Sequence, residues 1–251
     1  KEIDKPIEIR KLQQFAVRQE MNHDMQILTN TDATKKAKVA CIGAGPASLA
    51  CAAKLAQAGY TVEIFEANAK AGGMLSYGIP PARLSQEIVD WDIKTVVNLG
   101  VKIHLNTQVG KDVSFTELES KFAAVFVGCG LWQGRKIGLA GVELAGVIDA
   151  VDFLAAARAS LGAGVKVAQN VVVIGAGDTG MDCAATAKLL GAENVTVICN
   201  QEEIPAYHEE LEYVQRMGVT VVTKYQPQRV IGTNMVEGVL SSHQGGNTEL
   251  K

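Results

Sequence analysis

Two glycine-rich strings carry the residue types and spacing that could do chemistry. Gly43-Ala44-Gly45-Pro46-Ala47-Ser48 and Gly175-Ala176-Gly177-Asp178-Thr179-Gly180 each come after a short apolar run and open a run rich in small residues. The first glycine permits a tight strand-to-helix turn, and the second leaves no side chain where the backbone must approach a pyrophosphate. The helix beyond presents N–H groups and the positive end of its dipole to the phosphates. The third position needs a small residue for helix–strand contact, and here it is Ser48 in one string and Gly180 in the other.

The two strings lead to different residues at the end of the next strand. Glu66 closes the strand after the first, where a carboxylate would accept hydrogen bonds from the hydroxyls of an adenosine ribose. The matching position after the second is Cys199, with Asn200 next to it. Neither is an acid that would choose NAD, nor an arginine that would pair with the 2′-phosphate of NADP. Glu202 and Glu203 lie close by and would disfavour an extra phosphate if they point inward, so NADPH and NADH both stay open. Asp178 has two readings: a cap or dipole partner at a helix N-terminus, or a contact near the nicotinamide.

Positioning these strings takes alternating strands and helices. The pattern predicts strands over Lys38–Ile42 and Tyr60–Phe65 around a helix over Pro46–Ala58, which is one βαβ unit. A Gly/Pro-rich passage, 71–81, precedes a helix over Ser85–Leu99, a strand over Val101–Asn106, a short helix over Phe115–Lys121 and a strand over Ala123–Gly128. After a glycine-rich loop, 131–147, and a helix over Val151–Ala159, the theme restarts. Strands Asn170–Ile174, Asn194–Cys199 and Val219–Thr223 alternate with helices Thr179–Leu190 and Glu209–Met217. No complete element is expected from Gln226 on. The fold class expected is therefore α/β with two Rossmann-like, three-layer dinucleotide-binding domains. Residues 1–36 are expected to be a polar lead-in with a weakly helical stretch and a linker at 30–36. Residues 37–147 form the first domain and 148–251 the second.

The bulk properties agree with this and exclude other classes. The chain has 251 residues, 47% hydrophobic and 20% charged, with a formal net charge of -3, so no basic surplus points to nucleic acid or an anionic membrane. No run of 18 apolar residues suits a membrane span. Five cysteines are scattered singly, with no CxxC, so no metal site or local redox pair is expected. They read as small buried hydrophobes in a cytoplasmic, reducing setting. Cys129, between two glycines, reads as a loop residue rather than a redox centre.

Gly72-Gly73-Met74, just past Glu66, resembles the GG motif of flavoproteins that bind two dinucleotides, and marks the first domain for FAD. With Leu12-Gln13-Gln14-Phe15-Ala16, Tyr77-Gly78-Ile79-Pro80 leading to Arg83-Leu84, Met181-Asp182-Cys183 and Pro205-Ala206 before Glu209-Glu210, the chain resembles the glutamate synthase small subunit family. The flavin/NADPH half of dihydropyrimidine dehydrogenase is the closer likeness.

The resemblance implies a glutathione-reductase-like architecture that passes hydride from NAD(P)H to FAD, then electrons into [4Fe–4S] clusters of a preceding domain or partner subunit. A downstream synthase or reductase subunit would take them up. It implies that Gly43, Ala44, Gly45, Pro46, Ala47, Glu66, Gly72, Gly73, Met74 and Arg83 line FAD, and that Val109 gives a backbone contact near the adenine. Gly175, Ala176, Gly177, Asp178 and Thr179 would hold the nicotinamide dinucleotide. Arg83 also has a plain reading as a surface loop arginine.

Three departures stand out: the cluster cysteines are absent, Asn200 and Gln201 stand where the family carries arginine, and the closing GD motif is not found after Gly218. The chain is thus expected to be a fragment. The chemistry belongs to the cofactors, so no catalytic side chain and no metal ligand is nominated. The alternatives are a thioredoxin-reductase-like disulfide reductase, which needs a paired cysteine in the nicotinamide unit where Cys183 and Cys199 stand 16 apart on helix and strand, and a non-catalytic redox-sensing nucleotide module.

Overall fold

The computed structural model describes residues 7–29, 37–159, 164–243 and 246–250, and the linker expected at 30–36 lies outside them. They fall into two compact units, one drawn from Lys1–Ser76 and Ser85–Gly130, the other from Tyr77–Leu84 and Leu131–Lys251. Residues 77–84 and 131–147, assigned from sequence to the first domain, thus group with the second unit.

The chain begins with α1 (Ile9–Asn22), β1 (Lys38–Ile42), α2 (Pro46–Gln57), β2 (Thr61–Phe65) and the short α3 (Met74–Tyr77). Then come α4 (Gln86–Asn98), β3 (Lys102–His104), α5 (Phe115–Lys121) and β4 (Ala124–Val127). The strands pair in the order β3-β2-β1-β4, all parallel. A parallel pair needs a crossover, and α2 supplies the one between β1 and β2. Its buried residues, Ser48, Leu49, Ala52, Ala53 and Ala56, are nearly all small, so the helix lies close against the sheet. They meet Cys41, Val62 and Ile64 of the strands and Leu99 and Val101 beyond α4. The weak helical pattern of the lead-in is a real helix, α1, but none of its residues is buried.

The second unit continues with α6 (Ala150–Ala159), β5 (Asn170–Ile174), α7 (Asp178–Leu189), β6 (Asn194–Ile198), α8 (His208–Arg216) and β7 (Thr220–Val222). Its parallel sheet runs β5-β6-β7. Helix α7 is buried from Met181 through Ala187, and its alanines and Met181 form the core with Val195 and Val197.

The stretch from Gln226 on, where the local pattern predicts no complete element, is a three-stranded antiparallel sheet. It comprises β8 (Gln226–Gly232), β9 (Val236–His243) and β10 (Gly246–Leu250), in the order β10-β9-β8. Pro227, Gly238 and the pair Ser241-Ser242 hide the alternation of apolar residues. Cross-strand pairing, which no local pattern encodes, makes the strands. The 131–147 loop joins it through backbone bridges from Ala140 to Arg229 and Ala145 to Met235.

The third fingerprint position is solved differently in the two units. In the first, Ser48 is fully buried with its hydroxyl donating to the Ile42 carbonyl at 3.5 Å. Room for it comes from Gly128 past β4, where a Cβ would overlap the Ser48 hydroxyl. In the second, a Cβ on Gly180 would overlap the Gly175 carbonyl, so only glycine lets α7 sit against β5. Gly180→Ala is expected to push α7 off the sheet and cost about 1–3 kcal/mol. Urea unfolding should show the midpoint fall, and an unchanged midpoint would contradict the packing described.

Candidate functional site

The two fingerprint loops are built alike. Gly43 and Gly175 hold φ of +86° and +110°, where a side chain is strained, so the strand can turn sharply into the helix. The Gly43 N–H donates to the Phe65 carbonyl at 2.8 Å, and the Gly175 N–H donates to the Ile198 carbonyl at 2.9 Å. The carbonyl of the next residue is then tied down by a later loop. Ala44 accepts from the Gly72 N–H at 2.8 Å, and Ala176 accepts from the Ala206 N–H at 3.1 Å.

Gly45 and Gly177 need another explanation. Their φ of −76° and −80° suit any residue. A Cβ on Gly45 would meet nothing nearer than 4.0 Å, and one on Gly177 nothing within 4 Å. Nothing in the chain itself requires glycine here. Each is the N-cap of its helix, and no side chain caps either helix. An open cradle before an uncapped helix N-terminus fits a pyrophosphate that must reach the backbone. Pro46, Ala47 and Thr179 line the outer side of these cradles, where none of them is buried, while Ala44 and Ala176 are buried beneath.

The units diverge at the end of the second strand. Glu66 is buried, its Oε2 accepting from the Ala44 N–H at 2.6 Å and its Oε1 from the backbone and side-chain N–H of Asn68, both at 2.8 Å. The carboxylate is therefore locked to the fingerprint loop, and one acceptor site on Oε2 remains for a ribose hydroxyl. Asn68, which no motif marks, does much of this locking. Gly72 and Gly73 both have positive φ, and a Cβ on Gly73 would lie 2.8 Å from the Gly45 Cα, so the GG motif packs directly on the first cradle. Met74 then starts α3, half-buried. Val109 lies at an isolated bridge with Val113 and packs on Ala40, Phe65 and Leu118.

In the second unit Cys199 takes the place of Glu66. It is buried, and its Sγ accepts from the Gln201 N–H at 3.4 Å. Asp178 does not cap its own helix. Its Oδ1 accepts the Tyr207 N–H at 3.0 Å and so holds the chain where α8 begins, while its charge suits the first turn of α7.

Arg83 joins this unit through Asp182 of α7 at 2.8 Å and Glu210 of α8 at 3.0 Å. The segment that carries it is gripped by Arg158, a buried guanidinium of α6 that donates to the Ile79 and Leu84 carbonyls. Burial acts to lower the Arg83 pKa, but the hydrogen bond to Asp182 and the charges of Asp182, Glu210 and Asp178 outweigh it and raise it. For Asp182 burial dominates and Asp178 adds to it. Arg83 offsets only part, so the carboxyl sits above its ordinary value. Neither the Arg158 contacts nor the pairing of Arg83 with Asp182 and Glu210 announces itself in sequence, because each spans many residues.

No disulfide links the five cysteines. Burial, with the charges of Asp182 and Asp149, pushes the Cys183 thiol up to about 12, so it stays protonated near neutrality. Among the described residues no cluster of His, Cys, Asp and Glu could hold a metal ion, and no helix is long and apolar enough to cross a membrane.

Because the folded Asp182 pKa lies above the unfolded one, its ionisation disfavours folding, and stability falls as pH rises through that window. Removing Arg83 raises Asp182 further. Arg83→Met should therefore cost about 1–2 kcal/mol at neutral pH, allowing for the partly exposed guanidinium. Urea midpoints across pH should show that deficit shrink as pH falls towards the carboxylate range. A deficit independent of pH would place the stabilisation elsewhere.

The pyridine nucleotide-disulphide oxidoreductase model matches residues 37–250. The NAD-dependent dihydropyrimidine dehydrogenase subunit PreT of Salmonella typhimurium is 39% identical over 236 residues, covering 93% of this chain and 56% of that protein. The glutamate synthase [NADPH] small chain of Azospirillum brasilense is 35% identical over 213 residues, covering 80% of this chain and 44% of that protein. The chain thus spans about half the length of the curated relatives it matches. Mycobacterium tuberculosis FprA in complex with NADPH superposes with a TM-score of 0.73 at 17% identity, over 86% of this chain and 69% of that one, a likeness of fold. With its α/β fold of Rossmann-like units and both fingerprints inside the matched region, this chain belongs to the pyridine nucleotide-disulphide oxidoreductase family.

Proposed function

We propose that the first unit holds FAD, the second holds a nicotinamide dinucleotide, and the chain serves to reduce the flavin. The carrying observation is the pair of open cradles at Gly45 and Gly177, each a glycine that the protein's own packing does not require. In this reading Gly43 to Ala47, Glu66, Gly72 to Met74 and Val109 hold FAD, and Gly175 to Thr179 hold the nicotinamide dinucleotide. Bound together, the two cofactors supply hydride transfer from the nicotinamide to the flavin.

The chain's own part is to bind, orient and insulate. The helix N-termini take the pyrophosphates, Glu66 takes a ribose hydroxyl, and Asp178 and Arg83 brace the start of the second dinucleotide helix. A flavin contact by Arg83, which the family resemblance implies, would compete with its two ion pairs. Onward transfer to iron–sulfur clusters and to a synthase or reductase subunit is proposed from the same resemblance. Two matched relatives are by name subunits of dihydropyrimidine dehydrogenase and glutamate synthase, one NAD-dependent and the other designated for NADPH.

The test is anaerobic addition of NADH or NADPH to the flavin-loaded protein while its visible absorbance is tracked. At least one of the two should bleach the flavin. A flavin that stays oxidised with both would end the proposal.

A further inference from the structure

We infer that the ion pair of Glu202 and Lys224 sets coenzyme choice in the second unit, in favour of NADH over NADPH. The inference rests on the proposed reading of that unit as a nicotinamide dinucleotide site. In such a unit the adenosine ribose is met at the end of the second strand, where an acid serves a 2′-hydroxyl and a cation serves a 2′-phosphate. Here that strand is β6, and Cys199 at its end offers neither, since it is buried and its sulfur is engaged by Gln201. Asn200 and Gln201 carry no charge. Selection must come from what stands around them.

The structure brings the end of the neighbouring strand β7 to this place. The Lys224 N–H donates to the Gln201 carbonyl at 3.0 Å, and the Tyr225 N–H donates to the Cys199 carbonyl at 2.9 Å. Lys224 holds φ of +62°, a conformation lysine seldom adopts. His243 steadies the turn, with its ring stacked on Tyr225 at 4.5 Å and its Nδ1 3.1 Å from the Lys224 carbonyl. A cation is thus carried to the loop after β6 by backbone bonds. Its ammonium is then taken by Glu202 at 2.6 Å.

This arrangement fixes the local balance of charge. The two loops, 199–204 and 223–225, carry Glu202, Glu203 and Lys224, which leaves one negative charge in excess. A phosphate monoester brings about −1.5 to −2 more at neutral pH. It would meet that excess and would have to displace Glu202 to reach the lysine. The 2′-hydroxyl of NAD brings no charge and needs no cation. Glu202 and Lys224 are both well exposed, so their pairing adds little to folding, and altering it should change preference rather than stability.

Calorimetric titration of the flavin-loaded full chain with NAD+ and NADP+ tests this by binding alone. The native protein should bind NAD+ more tightly. Glu202→Gln should shift the ratio of dissociation constants towards NADP+ by about tenfold, the size of one charge-assisted hydrogen bond. Adding Lys224→Gln should abolish the gain. A native preference for NADP+, an unchanged ratio in Glu202→Gln, or a gain that survives Lys224→Gln would each overturn the selector while leaving the nicotinamide site standing. Failure of the native protein to bind either dinucleotide would overturn both.

Discussion

The architecture answers to the need of a buried helix to end in open space. At Gly45 and Gly177 the backbone turns from strand to helix with no side chain in the way and no capping group on the first N–H groups. A glycine N-cap forgoes only about a few tenths of a kcal/mol relative to a serine or aspartate cap. The surrounding packing keeps both termini fixed regardless. Ser48 against Gly128, and Gly180 against Gly175, hold the helices close enough to the sheets to aim them. Gly72 and Ala206 fasten the loops from the other side. Together these contacts set the direction of both helix N-termini.

Around this shared plan the two units handle charge differently. The first keeps a single carboxylate, Glu66, buried and saturated by backbone and amide donors except for one acceptor position. The second has no carboxylate at the end of its second strand. Its acids gather instead on α7 and α8, where Arg83 compensates Asp182 and Glu210. The segment that brings Arg83 there is itself pinned by a second arginine, Arg158. Asp182 and Glu210 are tolerated because Arg83 pairs with both, and Arg158 because backbone carbonyls accept from it, while burial still holds the Asp182 carboxyl above its ordinary value. Such a cluster ties the orientation of α7 to a segment far away in sequence.

How much of this is legible in the sequence depends on the range of the interaction. The glycine strings, the strand before each and the small-residue helix after each are local features, and β1, α5 and β5 fall on the residues expected for them. Glu66 is legible as an acid at a strand end, but its partner Asn68 is not, since nothing in a nearby asparagine marks it as a lock. The sheet from Gln226 on escapes because Pro227 and Gly238 break its pattern and its stability lies in cross-strand pairs. The Arg158 contacts and the pairing of Arg83 escape for a similar reason: the ion pairs and carbonyl contacts bridge some 74 to 127 residues. Local chemistry is written in short strings, whereas compensation of buried charge is written only in the fold.

The central claim is that the two cradles hold different cofactors, and it can be tested by filling each in turn. Both positions have ordinary backbone angles, and a Cβ there meets nothing nearer than 4.0 Å. The measurement is bound flavin per chain, read beside flavin reduction by added nicotinamide coenzyme, in Gly45→Val and in Gly177→Val. The account predicts that Gly45→Val loses its flavin, whereas Gly177→Val stays yellow but is no longer reduced. A colourless Gly177→Val beside a yellow, reducible Gly45→Val would contradict it.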